Sequence, residues 1–281
     1  MPYPTILVHV DDSAGSADRI RVAALLAARG AGHVIGAAPT GVSRFLYQSI
    51  PVENSDATLA LHLDMLRAQS RTALAAFQAQ CDALHLDSFE GKVIDDEAGA
   101  GICLHARAAD LVIIGQAPAS ATDFTAHVIE QAGRPVLLVP ARHRVESVGR
   151  RVLVSWDGGR EAARALQLAL PLLKDADEVN IAIFEVTSDE QKVADALTAD
   201  PRPWLARHGV TAILAVHPVQ HHLRLNRRHE VGERLLALAA EGSADLLVMG
   251  AYGRSRLRET LMGGVTRTVL QGMTLPVLMG H

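Results

Sequence analysis

The residues with the clearest chemistry lie in Gly250–Leu270, which reads GAYGRSRLRETLMGGVTRTVL. Glycines stand at its first position, at Gly253 and at the pair Gly263–Gly264. An apolar run, Leu246–Met249, precedes the stretch, and its last residues have helical apolar spacing. A strand that leads through glycines into a helix suits an anion, because free backbone N–H groups and the helix dipole point the same way. The stretch therefore predicts an anion-binding loop.

The elements that must position this loop are strands alternating with helices. In the first half the predicted strands are Thr5–Val10, His33–Ala38, Ser88–Ile94, Asp110–Ile114 and Arg134–Val139. The predicted helices are Arg19–Arg29, Ala57–Leu84, Ala98–Ala108 and Asp123–Ala132, with Gly41–Asn54 irregular. Such alternation predicts parallel βαβ units in a doubly wound sheet.

The second half of the chain repeats the first. Three pairs of segments keep their order: Ile6–Asp11 with Val152–Asp157, Ala109–Gly115 (ADLVIIG) with Ala244–Gly250 (ADLLVMG), and Pro135–Leu137 with Pro276–Leu278. The other elements predicted there are Glu161–Leu173, Val179–Val186, Thr211–Val216 and Val231–Ala240. The shared order indicates a tandem duplication. With the polar segment Ala141–Arg150 as linker, we expect two domains, 1–143 and 150–281.

The glycine spacing G-x2-G-x9-G, preceded by a strand and followed by a helix and Pro-Val-Leu, resembles the universal stress protein family. Both halves resemble this family, but only the second carries the full glycine spacing. The resemblance implies two tandem Rossmann-like or flavodoxin-like α/β domains, similar to adenine nucleotide alpha hydrolases, each with a five-stranded, mainly parallel sheet. It also implies that the second half binds ATP, with or without Mg²⁺, through Ser155, Asp157, Val186, Gly250, Gly253, Arg254, Gly263, Gly264, Val265 and Thr266.

One residue departs from the family pattern. The third glycine is usually followed by Ser or Thr, whereas this chain has Gly264. A hydroxyl is lost while the backbone N–H donors remain. A lost hydrogen bond to phosphate weakens binding by about 1.5–3 kcal/mol, which is roughly ten- to a hundredfold in affinity.

The first half shows the same frame without the glycines. Pro118, which has no N–H and a fixed φ, stands where Gly253 is expected. Thr122–Asp123 replaces Gly263–Gly264, and Asp123 is expected to cap its own helix with a carboxylate where phosphate would otherwise bind. The first half is therefore not expected to bind ATP in the manner of the family.

The composition is 49% hydrophobic and 21% charged, which supports packed cores. The formal net charge of −4 gives no support for a nucleic-acid partner. No apolar stretch reaches the ~20 residues that cross a bilayer, and the start of the chain lacks a signal pattern. Two cysteines, Cys81 and Cys103, are expected to be buried small apolar residues. We expect a cytoplasmic protein without a membrane segment.

Family members pair through their fifth strands, so the resemblance implies that Pro135–Val139 and Pro276–Met279 meet within one chain as a pseudo-dimer. These apolar runs would leave a sticky sheet edge if they were unpaired. A further homodimer is left open by the sequence.

Plainer alternatives stand beside each assignment. Asp11 and Asp157 could be turn or capping residues, the reading we favour for Asp11. Arg254 either touches phosphate or belongs to a solvated face with Arg256 and Arg258. A histidine and arginine cluster matches no standard metal spacing and is expected to be a mobile surface loop rather than a metal site: His217, His221, His222, Arg224, Arg227, Arg228 and His229.

Three functional hypotheses follow. The chain could be a stress-response regulator that uses nucleotide occupancy as a signal. It could be a slow ATP hydrolase, for which Asp157 is the only candidate to activate water, because Ser13 and Ser155 lack an identifiable base and no catalytic nucleophile is predicted. It could also be a nucleotide-free scaffold, if Gly264 and local packing close the pocket.

Overall fold

The computed structural model describes residues 3–49, 57–117, 122–185, 194–195, 197–218, 227–251 and 264–281. The chain divides into two compact units. Unit 1 comprises Met1–Gly115 with Ala121–Arg134, and unit 2 comprises Gln116–Ser120 with Pro135–His281. The sequence domains 1–143 and 150–281 remain predictions.

Unit 1 contains four parallel strands in the order β3-β2-β1-β4. Its strands are β1 (Thr5–His9), β2 (His33–Pro39), β3 (Phe89–Ile94) and β4 (Leu111–Gly115). The helices described in this unit are α1 (Ser16–Ala27), α2 (Arg44–Ser49), α3 (Ala57–Ala83), α4 (Ala98–Ala106) and α5 (Thr122–Gln131). The middle strands read as continuous apolar runs, as expected when both faces of a parallel sheet are covered.

Unit 2 contains six strands in the order β5-β10-β9-β6-β7-β8. Its strands are β5 (Val136–Val139), β6 (Arg151–Ser155), β7 (Glu178–Glu185), β8 (Ile213–Pro218), β9 (Leu246–Gly250) and β10 (Val277–Gly280). The helices described here are α6 (Arg160–Leu173), α7 (Arg202–Arg207), α8 (Arg227–Glu241) and α9 (Gly264–Gly272). The strands are parallel except that β5 runs antiparallel to β10, with Leu138 opposite Val277.

The structure confirms the tandem α/β fold class that the sequence predicts. Several helices differ from the prediction. Helix α7 is not among the predicted elements, and α8 begins at Arg227 rather than at Val231. Two further differences have an identifiable cause. α2 occupies part of Gly41–Asn54, which was expected to be irregular, and α1 begins at Ser16 rather than at Arg19. The first difference depends on a distant partner, because Asp96 accepts a hydrogen bond from the N–H of Arg44 at 3.2 Å and pairs with its guanidinium. The second arises because the first turn of α1 is polar and carries no apolar periodicity.

Helix α3 is 27 residues long and packs only one face on the unit. Phe77 and Cys81 on that face are fully buried, whereas Leu61 and Met65 are exposed. Phe77 also explains why Gly36 carries no side chain, since a Cβ there would lie 2.8 Å from the phenyl ring. Within the described part of the chain, no helix is both long and apolar enough to cross a membrane.

In unit 2, α6 lies very close to the sheet. A Cβ on Gly250 would lie 2.5 Å from the N of Ala162, and one on Gly280 would lie 2.8 Å from the Cα of Ala165. These distances are too short for any real carbon contact, so both strand ends need glycine. The close backbone approach at Gly250 is therefore made by a protein neighbour, the first turn of α6.

We predict that Gly250→Ala destabilises the protein by about 1–3 kcal/mol, because backbone atoms of α6 must move to accept the methyl group. The measurement is the free energy of unfolding in urea. Gly272→Ala in α9 is the control, since its new Cβ would meet only the end of the Leu236 side chain. Equal losses of stability in the two variants would contradict this account.

Candidate functional site

Three of the predicted site residues, Ser155, Asp157 and Gly250, lie where the chain of unit 2 reverses its direction across the sheet. Strand β6 lies between β7 and β9, so Val154 pairs with Ile181 on one side and Val248 on the other. From β6 the chain continues to β7 and β8, and it later returns to β9 on the opposite side. Ligands of open α/β sheets bind in the crevice outside the carboxyl ends of the strands at such a switch point. Ser155 and Gly250 end the two strands that border this crevice.

The loop after β6 holds Asp157 in a tight turn. Oδ1 of Asp157 accepts a hydrogen bond from the N–H of Gly159 at 2.9 Å. Between them Gly158 has a φ of +70°, a left-handed conformation that favours glycine. Helix α6 begins directly afterwards at Arg160, and Asp157 remains exposed. Asp157 is therefore a turn residue and also an accessible carboxylate beside the crevice.

Glu161 is a buried carboxylate that the sequence analysis did not single out. It lies in the first turn of α6, is 8% exposed and makes an ion pair with Arg160 at 3.0 Å. Burial would raise the pKa of its carboxyl, but its own backbone N–H, Arg160 and His281 together lower the pKa below the ordinary value. Glu161 could have been identified from its place just after the Asp157 turn, because the N-terminus of a helix favours an acidic residue.

The last helix of unit 2 begins where the sequence predicts. Helix α9 starts at Gly264, so the N–H groups of Gly264, Val265 and Thr266 belong to its first turn and have no partner within the helix. Gly264 and Val265 are half-buried, and Thr266 is only 4% exposed. This turn therefore offers backbone donors rather than an exposed hydroxyl. Four further predicted residues lie outside the described part of the chain: Val186, Gly253, Arg254 and Gly263.

Helix α8 holds the first turn of α9 in place. The Thr268 hydroxyl donates to the carbonyl oxygen of Gly264 at 2.9 Å, and its oxygen lies 2.8 Å from Nδ1 of His229. Nε2 of His229 lies 3.2 Å from Glu233. Gly232 allows the close approach, because a Cβ there would lie 2.6 Å from the Cβ of Thr268. The start of α9 is thus fixed by side chains from a neighbouring helix.

The equivalent helix of unit 1 differs from the prediction in one respect. Helix α5 begins at Thr122, so Asp123 lies within its first turn instead of capping it from outside. Asp123 is exposed, and it still places a negative charge at the helix N-terminus. Pro118 lies outside the described residues.

The carboxyl end of β1 carries a charged cluster. Oδ1 of Asp11 accepts hydrogen bonds from the N–H of Ser13 at 3.0 Å and from Nη2 of Arg19 at 2.6 Å. Burial would raise the pKa of Asp11, but Arg19, Ser13 and His9 lower it overall. The favoured reading of Asp11 as a turn residue is confirmed, and the ion pair with Arg19 is an addition to it.

His9 lies within this cluster with 13% of its side chain exposed. Its ring lies 5.0 Å from the ring of Phe124, and Nδ1 lies 3.7 Å from Asp11. Burial, assisted by the positive charge of Arg19 and opposed by Asp11, lowers the pKa of His9 to about 4. His9 is therefore neutral at neutral pH.

The remaining candidate residues are the two cysteines and the possible metal ligands. Cys81 and Cys103 are buried free thiols, as predicted, and burial raises the pKa of each to about 11. No group of three or more histidine, cysteine or acidic side chains able to hold a metal occurs among the described residues. Three members of the histidine and arginine cluster lie outside them: His221, His222 and Arg224. The loop prediction is wrong for the other four, because His217 lies in β8 and α8 begins with Arg227, Arg228 and His229.

Comparison with known proteins identifies the family of the C-terminal half. The universal stress protein family model matches residues 149–281. A domain of this family therefore forms the C-terminal half of the chain. A curated relative, universal stress protein Slr1230 of Synechocystis, is 26% identical over 178 residues, which cover 60% of this chain. The match spans 57% of the length of that relative.

Solved structures show that the universal stress protein fold covers both halves. A universal stress protein from Archaeoglobus fulgidus superposes with a TM-score of 0.71 at 17% identity, covering 99% of this chain and 98% of the other. A functionally unknown protein from Pseudomonas aeruginosa PAO1 superposes with a TM-score of 0.57 at 18% identity, covering 98% and 92%. At these identities the likeness establishes the fold alone.

His9 makes a testable contribution to the pH dependence of stability. Its pKa is lower in the folded protein than in the unfolded chain, so the unfolded chain takes up the proton first as the pH falls. Stability from this group is complete above pH 6.5 and is lost as the pH falls towards 4, by about 3 kcal/mol in total. Urea unfolding across this range should show a smaller loss for His9→Phe, which keeps an aromatic ring beside Phe124. An identical loss in the wild type and the variant would contradict the prediction.

Proposed function

We propose that the C-terminal universal stress protein domain binds an adenine nucleotide, ATP with or without Mg²⁺, and that occupancy acts as a signal in a stress response. The single observation that carries this proposal is the position of the site residues at the switch point of unit 2. Asp157 follows β6 and Gly250 ends β9, which is the neighbouring strand. Both therefore border the crevice in which ligands of this sheet type bind.

The phosphates are assigned to the start of α9. Its first N–H groups, which have no partner within the helix, and the positive end of its dipole suit an anion, and Gly264 offers no side chain to obstruct one. Gly253, Arg254 and Gly263 complete the phosphate loop in this proposal. Asp157 and Ser155 are assigned to the nucleoside, together with Val186 after β7.

We also propose that the pairing of β5 with β10 makes one chain a pseudo-dimer of its two repeats. The register places Leu137 opposite Leu278, and both side chains are fully buried. The pairing supports the proposal because it uses the two Pro-Val-Leu strands at the ends of the repeats.

Nucleotide released from the purified protein tests the proposed ligand. We expect denaturation of the full chain to release adenine nucleotide, identified by chromatography and mass spectrometry. If the protein is purified empty, titration with ATP in the presence and absence of Mg²⁺ should show one site for each chain. Absence of nucleotide in both experiments would refute the proposal.

A variant at Gly264 tests the assignment of the phosphates. Unit 1 carries Asp123 at the matching position, so Gly264→Asp places a carboxylate where the phosphates are expected. Charge repulsion between this carboxylate and the phosphates should weaken ATP binding by about ten- to a hundredfold. Gln271→Asp is the matched control, because it adds the same charge at an exposed position near the other end of α9. If Gly264→Asp binds ATP with unchanged affinity and melts at the normal temperature, the assignment of the phosphates to this helix is wrong.

A further inference from the structure

The crevice of unit 1 contains a side chain of the protein itself. Strand β1 lies between β2 and β4, so the switch point of unit 1 is the gap between the carboxyl ends of β1 and β4. The Nε–H of Arg19 donates to the carbonyl oxygen of His9, which ends β1, at 2.8 Å. Its Nη1 lies 2.7 Å from the place of a Cβ on Gly115, which ends β4. The guanidinium therefore lies between the two strand ends.

Neighbouring residues supply hydrogen-bond acceptors for the Arg19 guanidinium. Nη2 donates to Asp11 at 2.6 Å, and the Ser13 hydroxyl lies 3.4 Å from Nη1. Arg19 is only 4% exposed, although it lies in the first two turns of a surface helix. A buried guanidinium of this kind is stable because carboxylate and carbonyl acceptors replace the water that it loses. Asp11 and the carbonyl oxygen of His9 thus satisfy the Arg19 guanidinium without any ligand.

The duplicated half shows which of these residues are particular to unit 1. Arg19 lies ten residues after His9, and the same step from Ser155 leads to Ala165. Phe124 precedes Pro135 by eleven residues, and the residue eleven before Pro276 is Val265. At three matched positions unit 1 therefore has the larger side chain: His9 for Ser155, Arg19 for Ala165 and Phe124 for Val265. Asp11 and Asp157 are the same residue type, but only Asp11 is paired with an arginine in the described residues.

We propose that the Arg19 guanidinium is a built-in occupant of the unit 1 crevice, held by Asp11 and the His9 carbonyl in the space where a ligand of this sheet type would bind. Unit 1 is closed by this side chain, independently of the glycines that it lacks. This inference concerns unit 1 alone and does not depend on nucleotide binding by unit 2.

Chemical rescue tests the proposal in the full-length protein without nucleotide. Arg19→Ala leaves Asp11 without its partner and empties the crevice, so the melting temperature should fall by about 10 °C. Millimolar methylguanidinium chloride should restore at least half of that loss, because the free cation fits the vacated space beside Asp11. Sodium chloride at the same concentration should restore none of it.

Arg67→Ala is the matched control. Arg67 also forms a bidentate pair with an aspartate of unit 1, Asp95, but both side chains are about one third exposed. Its removal leaves a surface open to water, so methylguanidinium should not raise the melting temperature of this variant. The proposal is overturned if Arg19→Ala melts like the wild type, or if methylguanidinium has the same effect on Arg19→Ala and Arg67→Ala.

A second measurement keeps the proposal testable if Arg19→Ala does not fold. In wild-type protein labelled with ¹⁵N-arginine, the Nε–H of Arg19 should exchange with solvent at least tenfold more slowly than that of Arg67. The Arg19 resonance is assigned by through-bond correlation to its backbone. An Arg19 Nε–H that exchanges as fast as that of Arg67 would show that the crevice is open to water and would overturn the proposal.

Discussion

The hydrogen-bonded pairing that holds β6 between β7 and β9 places the candidate site residues Ser155, Asp157 and Gly250 of unit 2 at the carboxyl ends of neighbouring strands. Because these strands are parallel, their carboxyl ends point the same way and their following loops are neighbours. The helix that leaves β6 must then cross the end of β9. Glycine at Gly250 and Gly280 lets α6 make this crossing at backbone distance.

Much of this arrangement could be predicted from the sequence because its causes are local. Apolar runs such as Leu246–Met249 identify strands, and matched runs in the two halves identify the duplication. The start of α9 at Gly264 follows from a glycine pair before helical spacing. The carboxyl-end placement of Asp157 and Gly250 follows from the parallel topology that the alternation implies.

Other features could not be predicted because their causes lie far apart in the chain. Helix α2 begins where Asp96, 52 residues later, accepts from the N–H of Arg44. Arg19 has the pattern of a surface residue near a helix start, and its burial depends on a carbonyl of β1 and on the missing side chain of Gly115. Asp123 is the second residue of α5 rather than its cap, two positions away, since cap and first-turn acids look alike in a sequence.

The two repeats share residue types at their central strand ends but use them in different ways. Both end their central strands with an aspartate after β1 or β6 and with a glycine at the end of β4 or β9. In unit 1 the aspartate is neutralised within the chain, and the glycine makes room for the arginine that does so. In unit 2 the corresponding glycine makes room for helix backbone, and the aspartate stays exposed.

The Arg19–Asp11 pair also restricts how unit 1 can evolve. Loss of Arg19 alone would strand a partly buried carboxylate, whereas loss of Asp11 alone would strand a buried cation. Small residues in place of His9 or Phe124 would open a cavity while the arginine still filled the crevice. A descendant could regain a vacant crevice only through several linked substitutions, most of whose intermediates are less stable than either end point. Once Arg19 fills the crevice of the first repeat, single substitutions that would empty it are therefore unfavourable.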